Sequence, residues 1–205
     1  MQRSLFAVLV LLAAGAGMAA AQESGTPDFK APYRSFQAHE IGATISFPEN
    51  ADFGLEGFYT YGYNRFDIGL RGGFVNRDVA GDDQTRLALG GSFRARVIES
   101  TQQFPLDGAL TVGLGGQFGE GDDAIFIPVG LSLGRRFQVE GSNTTFVPYV
   151  HPVLVPILNT GAGDDDVEFA LGLGANVRFG GSVELRVSGG IGEIEGIAIG
   201  LAFVR

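Results

Sequence analysis

The stretch DFGLEGFYTYGYNRFDIGLRGGFV, residues 52–75, decides the fold. In its first half the odd positions carry Phe53, Leu55, Gly57, Tyr59, Tyr61 and Tyr63, and the even positions Asp52, Gly54, Glu56, Phe58, Thr60 and Gly62. After Asn64 the parity flips. Phe66, Ile68, Leu70, Gly72 and Phe74 now form the apolar set, and Arg65, Asp67, Gly69, Arg71 and Gly73 the polar one. Period two with one polar and one apolar face is the mark of a β-strand. The junction Tyr63-Asn64-Arg65 is long enough only for a tight hairpin. A soluble barrel or sandwich would turn the apolar face inward, whereas a membrane barrel would turn it outward, against acyl chains.

Residues 1–21 have the form of a secretory signal peptide. Arg3 is the positive region, Leu5 to Leu12 the apolar core, and Ala19-Ala20-Ala21 the small-residue cleavage site, with cleavage expected after Ala21. The core is shorter than the roughly 18 apolar residues that a membrane helix needs. The chain has no Cys, which excludes both a lipid-anchored lipoprotein and disulfides. The remaining ~184 residues suffice for one domain. Residues 22–35 are polar, contain Pro27 and Pro32 and show no period, so they read as a flexible lead-in. Residues 36–205 then make the folded domain. No later segment is apolar for long enough to be a membrane helix, so any crossing uses strands. The net charge of −9 argues against a nucleic-acid partner.

Ten strands are expected, near 36–47, 52–63, 65–76, 85–98, 106–118, 124–137, 144–157, 167–179, 182–191 and 195–205. Their connections are short and rich in Gly, Asp and Asn, as hairpin turns require. The alternation persists: Leu87, Leu89, Gly91, Phe93, Ala95 and Val97 oppose Arg86, Ala88, Gly90, Ser92, Arg94 and Arg96, and Val183, Leu185 and Val187 oppose Glu184, Arg186 and Ser188.

The polar face chooses between soluble and membrane readings. It carries Glu40, Glu56, Arg65, Asp67, Arg71, Arg86, Arg94, Arg96, Asp107, Arg136, Glu168, Arg178, Glu184 and Arg186 in mid-strand. A soluble surface would mix lysine with arginine, yet Lys30 is the only lysine of the chain. Arginine suits planar pairing with carboxylates in a confined space. Eight arginines facing six carboxylates therefore read as a lumen network. On the apolar face, His39 and Arg135 are the only mid-sequence members by parity among Asp, Glu, His, Lys and Arg, and both lie toward strand ends. A lipid-facing Arg costs about 2–4 kcal/mol at the midplane and about 0–1 near the interface, so the placement follows that gradient. Phe66 and Phe74, and likewise Phe169 and Phe179, sit eight to ten residues apart on one apolar face. At about 3.4 Å per residue and a tilt near 40°, that spans roughly 21–26 Å, the height of a lipid band between aromatic girdles. The fold class expected is all-β, a transmembrane antiparallel up-and-down barrel of ten strands, with eight as the alternative.

The acids assign the two ends. With both termini in the periplasm, the outward loops fall near 48–52, 76–84, 119–123, 158–166 and 192–195 and hold 13 of the 23 acids, whereas the inward turns hold only Glu99 and Glu140. Their Asp pairs invite a calcium reading, but none matches an EF-hand loop, and solvated turn tips explain them. No metal or cofactor is expected.

The seventh strand, TTFVPYVHPVLVPIL, is apolar on both faces and holds Pro148, Pro152 and Pro156 at one parity. Proline donates nothing to a ladder, so all three missing N–H groups point at one neighbour. The result is either a weakened seam able to pass a lipophilic molecule or a local irregularity. His39 and His151 are the only histidines. Neither has a serine and an acid at a spacing that makes a triad, so an enzyme is not expected and no catalytic residue is assigned. GLGLGANVRFGG and GLGGQFGEG are glycine alternation within strands, not phosphate loops, because no helix follows them.

The signal peptide ending Ala19-Ala20-Ala21, the alternating strands and the closing strand GIAIGLAFVR resemble the small bacterial outer-membrane barrels of the OmpA, OmpX, OmpW and opacity type. The resemblance is architectural. One departure stands out: such barrels usually end on an aromatic that the assembly machinery reads, and here Phe203 is followed by Val204 and Arg205. It implies a Gram-negative outer-membrane location, with membrane lipid and the barrel-assembly machinery as partners. The function expected is a small outer-membrane barrel with a structural role or a narrow, charge-lined, porin-like passage for small solutes. A transporter or binder of lipophilic molecules through the seam is the alternative, and a barrel hydrolase a third.

Overall fold

A computed structural model describes residues 23–32, 39–49, 51–79, 82–119, 123–159, 166–192 and 194–205. The signal-peptide reading of residues 1–21 lies outside them. So do residues 33–38 of the lead-in, together with Glu120, Asp122, Asp164, Asp165 and Glu193 of the acidic loops.

Ten antiparallel strands meander around a closed barrel. They are β1 (His39–Pro48), β2 (Phe53–Tyr63), β3 (Phe66–Val79), β4 (Asp82–Ile98), β5 (Asp107–Phe118), an interrupted β6, then β7 (Thr145–Asn159), β8 (Asp166–Phe179), β9 (Val183–Gly192) and β10 (Gly196–Val204). β6 comes in three pieces: Ala124–Phe126, Val129–Gly134 and Phe137–Gln138. The first two pieces bridge β5 to β7 and the third continues along β7, so together they occupy one strand position. Closure comes from β1 on β10, in register from Glu40 opposite Val204 to Pro48 opposite Gly196. Both strand ends of the chain lie at one end of the barrel, called here the termini end. Ten strands is the count expected, and the eight-stranded alternative is set aside.

The first hairpin turns as its sequence requires. Tyr63 pairs with Phe66 across Asn64 and Arg65, and Asn64 holds φ at 55°, a left-handed conformation that asparagine tolerates better than most residues. The β3–β4 hairpin is longer than expected. The stretch 76–84, read as a loop, is mostly strand, with Val79 still paired to Asp82.

The sheet is inside out relative to a soluble protein. Leu70 is 65% exposed and Phe93 41%, whereas Arg94 is 1% and Arg186 7%. Ile41, Leu55, Leu89, Leu114, Leu173 and Leu201 also face outward. Such a surface is incompatible with water at this scale, because soluble monomers rarely expose apolar patches beyond a few hundred Å². It matches the lipid-facing band of a membrane barrel. Aromatics gather toward its edges: Tyr63, Phe66 and Phe93 pack ring on ring at the termini end, with Phe137 against Phe146, and Phe53 meets Phe74 at the opposite end. Arg135 lies over the Phe137 ring at the termini end, where a charged group can reach water.

The lead-in departs from expectation. Glu23 to Pro32 was expected to be flexible, yet it lies inside the barrel and is almost wholly buried. Its lack of period has a physical cause. It is neither strand nor helix, and it is surrounded on all sides, so no face of it needs to differ from another.

Candidate functional site: the occupied lumen

The inward side chains form three clusters, and Glu23–Pro32 joins two of them. In the first, Arg71 of β3 is the post. Its guanidinium bonds the Asp28 carboxylate, approaches Glu23 at 3.7 Å and the wall residue Glu56 at 3.6 Å, and donates to Ser24 Oγ at 3.3 Å. Lys30 bonds Glu23, and Thr26 Oγ1 donates to Glu56 Oε2 at 2.7 Å. The lead-in thus supplies two of the three carboxylates around Arg71. Beside it, Arg94 of β4 pairs with Asp67 of β3 at 2.7 Å and donates to the Ala31 carbonyl. These ions are buried, so each partner offsets a desolvation cost of several kcal/mol.

Among the described residues, the ion pairs of the second cluster come from the wall, toward the termini end. Arg186 joins Glu40 at 2.7 Å and Glu184 at 2.9 Å, and Arg178 joins Glu184 at 2.7 Å and Glu40 at 3.7 Å. Asn176 Nδ2 donates to Glu184 Oε1, and the Arg186 guanidinium stacks 4.9 Å from the Phe58 ring centre. β1, β8 and β9 contribute these charges from three positions around the wall, which ties the closing strands electrostatically as well as by the ladder.

The third cluster is apolar, which an inverted barrel does not require. Val147, Tyr149, Val153, Val155 and Ile157 of β7 point inward and pack with Phe126, Ala170, Ile194, Phe29 and Ala31. The both-sided apolar character of β7 therefore has a cause: its outer face meets lipid, and its inner face meets the lead-in. Tyr149 OH donates to the Phe29 carbonyl at 2.7 Å. His151 also points inward and is buried. Its Nδ1 accepts from the Lys30 backbone N–H at 3.3 Å, so its Nε2 carries the proton and donates to Thr111 Oγ1 at 2.8 Å.

Of the fourteen residues read as a lumen network, Glu40, Glu56, Asp67, Arg71, Arg86, Arg94, Asp107, Glu168, Arg178, Glu184 and Arg186 are inward and largely buried. Arg86 donates to the Gln117 carbonyl at 3.0 Å, and Asp107 accepts from the Ser100 N–H. Two residues are corrected. Arg65 sits in the β2–β3 turn with an exposed side chain and pairs with Glu99 at 3.0 Å. Arg136 is exposed in the gap between pieces of β6, because the strand has already broken before it. Arg96 is intermediate, at the rim, and also pairs with Glu99. Parity places residues on a face, but it cannot see that a strand has ended.

The prolines of β7 face outward. The Pro148 carbonyl accepts from Arg135 N–H and the Pro156 carbonyl from Ile127 N–H, so their missing donors point at β6. The β6–β7 ladder is discontinuous, with paired stretches at 124–126, 129–130, 133–134 and 137–138, whereas β7 and β8 pair without a gap from Thr145 to Ile157. His39, by contrast, is on the outer face with its ring against Tyr59 and Tyr61, while Glu40 and Ser46 point inward.

Sequence reasoning missed the wall contacts of the lead-in. Gln117 Nε2 donates to the Ser24 carbonyl, Ser132 to the Lys30 carbonyl, and Ser188 Oγ to the Pro27 carbonyl at 2.8 Å while accepting from Phe29 N–H. One signal was available. Glycines occupy inward positions where arginines and carboxylates would otherwise fit. A Cβ at Gly115 would lie 1.8 Å from the Glu23 carbonyl oxygen, and one at Gly172 would lie 2.0 Å from the Phe29 ring. Among the described residues, the openings between segment and wall include a cavity of about 20 Å³ lined by Arg71, Asp28, Lys30, Phe58 and Arg186 among others, and one of about 10 Å³ beside Glu23, Lys30, Thr111 and His151. That is room for water, not a solute.

These features define a transmembrane β-barrel with an ion-paired lumen occupied by part of its own chain. No family model and no curated protein matches the chain. Among solved structures, it is similar to the β domain of the Bordetella autotransporter BrkA, at 13% identity and a TM-score of 0.52, covering 82% of this chain and 98% of that one. A designed barrel reported under "De novo design of transmembrane beta-barrels" aligns over 87% of this chain and 99% of that one, at 14% identity and a TM-score of 0.40. The likeness to the autotransporter domain is one of fold alone.

Proposed function

We propose that this protein is a small Gram-negative outer-membrane barrel held shut by its own lead-in, with both termini periplasmic, and that it passes small solutes only when Glu23–Pro32 leaves the lumen. The observation that carries this reading is the ion-paired occupancy of the lumen, which leaves water-sized space beside Arg71. In its shut state the barrel has a structural role in the envelope. Its partners are membrane lipid along the apolar band and, during biogenesis, the barrel-assembly machinery. The resemblance to the OmpA, OmpX, OmpW and opacity barrels belongs to this reading. So does the absence of an enzymatic role: both ring nitrogens of His151 are engaged in holding the segment and the wall together.

Planar-bilayer recording tests it. The wild-type protein is expected to be silent or to open rarely, and Asp28→Asn/Phe29→Ala to show frequent openings. A steady conductance in the wild type, unchanged in the variant, would overturn the gate.

A second reading rests on the β6–β7 junction. Lipophilic molecules would enter or leave laterally where Pro148, Pro152 and Pro156 interrupt the ladder. Pro152→Val restores one donor. Reduced uptake of hydrophobic compounds is expected if the junction is used, and unchanged uptake ends the idea.

A further inference from the structure

We propose that the lumen is a binding site for a short irregular peptide bearing an Asp-Phe pair, that Glu23–Pro32 is its tethered occupant, and that a free peptide of the same kind can exchange for it. The inference rests on the occupied lumen and not on any passage of solutes.

Three observations point to recognition rather than to a core that happens to include this stretch. First, the barrel closes without the segment. β1 pairs with β10 by continuous register, and among the described residues no strand pairs with Glu23–Pro32. Second, the wall reads the segment's backbone. Ser24, Pro27, Phe29, Lys30 and Ala31 offer carbonyls to Gln117, Ser188, Tyr149, Ser132 and Arg94, while Phe29 N–H donates to Ser188 and Lys30 N–H to His151. Main-chain bonds of this kind supply affinity for a bound peptide, and side-chain pockets supply its specificity. Third, two such pockets exist. Phe29 fills a cut-out at Gly172 and Gly190 beside Ile194 and Tyr149, and Asp28 meets the Arg71 guanidinium. An aromatic anchor in a closed pocket next to a buried Arg–carboxylate pair is the pattern of a binding hot spot.

Tethering explains why the site is full. A short linker holds its ligand at a millimolar effective concentration, so a free peptide competes poorly until the tether is cut. The test therefore converts the tether into a cut site in the full-length protein. A flexible linker carrying a site-specific protease sequence is inserted after Ser35, the protein is folded intact, and it is then cleaved. The released segment is expected to stay with the barrel through gel filtration and to exchange for a labelled peptide of residues 22–32. A scrambled peptide of equal composition is expected to bind at least about tenfold more weakly, and a Phe29→Ala peptide about a hundredfold or more.

Loss of the segment on cleavage with no rebinding, from a barrel that still runs faster on a gel before boiling, would overturn the proposal. So would equal binding of the scrambled peptide, or collapse of the barrel on cleavage. Conductance of the cleaved protein is recorded in parallel. Specific exchange without any opening would leave peptide recognition standing and end the gated-passage reading. Opening without peptide binding would do the reverse.

Discussion

At the residue scale, Arg71 and Lys30 are the informative positions. Arg71 faces Glu23, Asp28 and Glu56, so Arg71→Ala leaves three carboxylates close together with their shared cation gone. Removing one partner from a buried ion cluster costs about 3–5 kcal/mol. The lead-in can escape that cost by leaving the lumen, whereas the ten-strand ladder cannot. Lys30 reports the difference, because it is the only lysine in the chain and its side chain is 10% exposed. Amine-reactive labelling of Lys30 is expected to be slow in the wild type and at least about tenfold faster in Arg71→Ala, a 1.4 kcal/mol shift in opening being enough for that factor. Equal rates would mean that Arg71 does not hold the segment. Gly115→Val makes the same prediction by shape, since its side chain would need the space of the Glu23 carbonyl. Outside the membrane-spanning strands, the hydrogen bond that the protonated Glu49 carboxyl donates to the Glu195 side chain, together with the Glu195 charge, raises the Glu49 pKa above the ordinary carboxylate value. A raised pKa means this loop contact is fully present at low pH and is lost as pH rises through the Glu49 value. Titration by NMR is expected to show Glu49 moving back toward the ordinary carboxylate range in Glu195→Gln.

At the element scale, β6 and β7 are the exception among ten strands. The prolines were legible as a block of missing donors, and parity assigned them to a single neighbour. Which neighbour, and that this neighbour itself breaks at Pro128 and again at Arg135, depended on strands that meet only in the closed sheet. Hydrogen exchange is expected to be faster along the β6–β7 junction than along β7–β8, because local opening follows the density of ladder bonds. Uniform protection across both would remove the physical basis for a seam. The inward face of β7 was readable as apolar. Its reason was not, since Val147, Val153 and Val155 share one buried cluster with Phe29, more than a hundred residues earlier in the chain.

At the scale of the whole molecule, the inversion of polarity governs stability. Leu70→Arg places a charge on the exposed outer face and is expected to cost about 2–4 kcal/mol in a bilayer if the site lies near the midplane. Refolding into vesicles at graded urea measures it. A change near zero would place Leu70 outside the hydrocarbon. The alternating residues from Asp52 to Val75 already determined strands, hairpin and two distinct faces, because period two is a local property of extended backbone. Charge identity along the polar face determined an ion-paired interior for the same reason. Occupancy of that interior was decided only by tertiary structure. A buried segment without secondary structure carries no period, and its partners, Arg71, Arg94, Tyr149, His151 and Ser188, come from four separate strands that no local pattern connects.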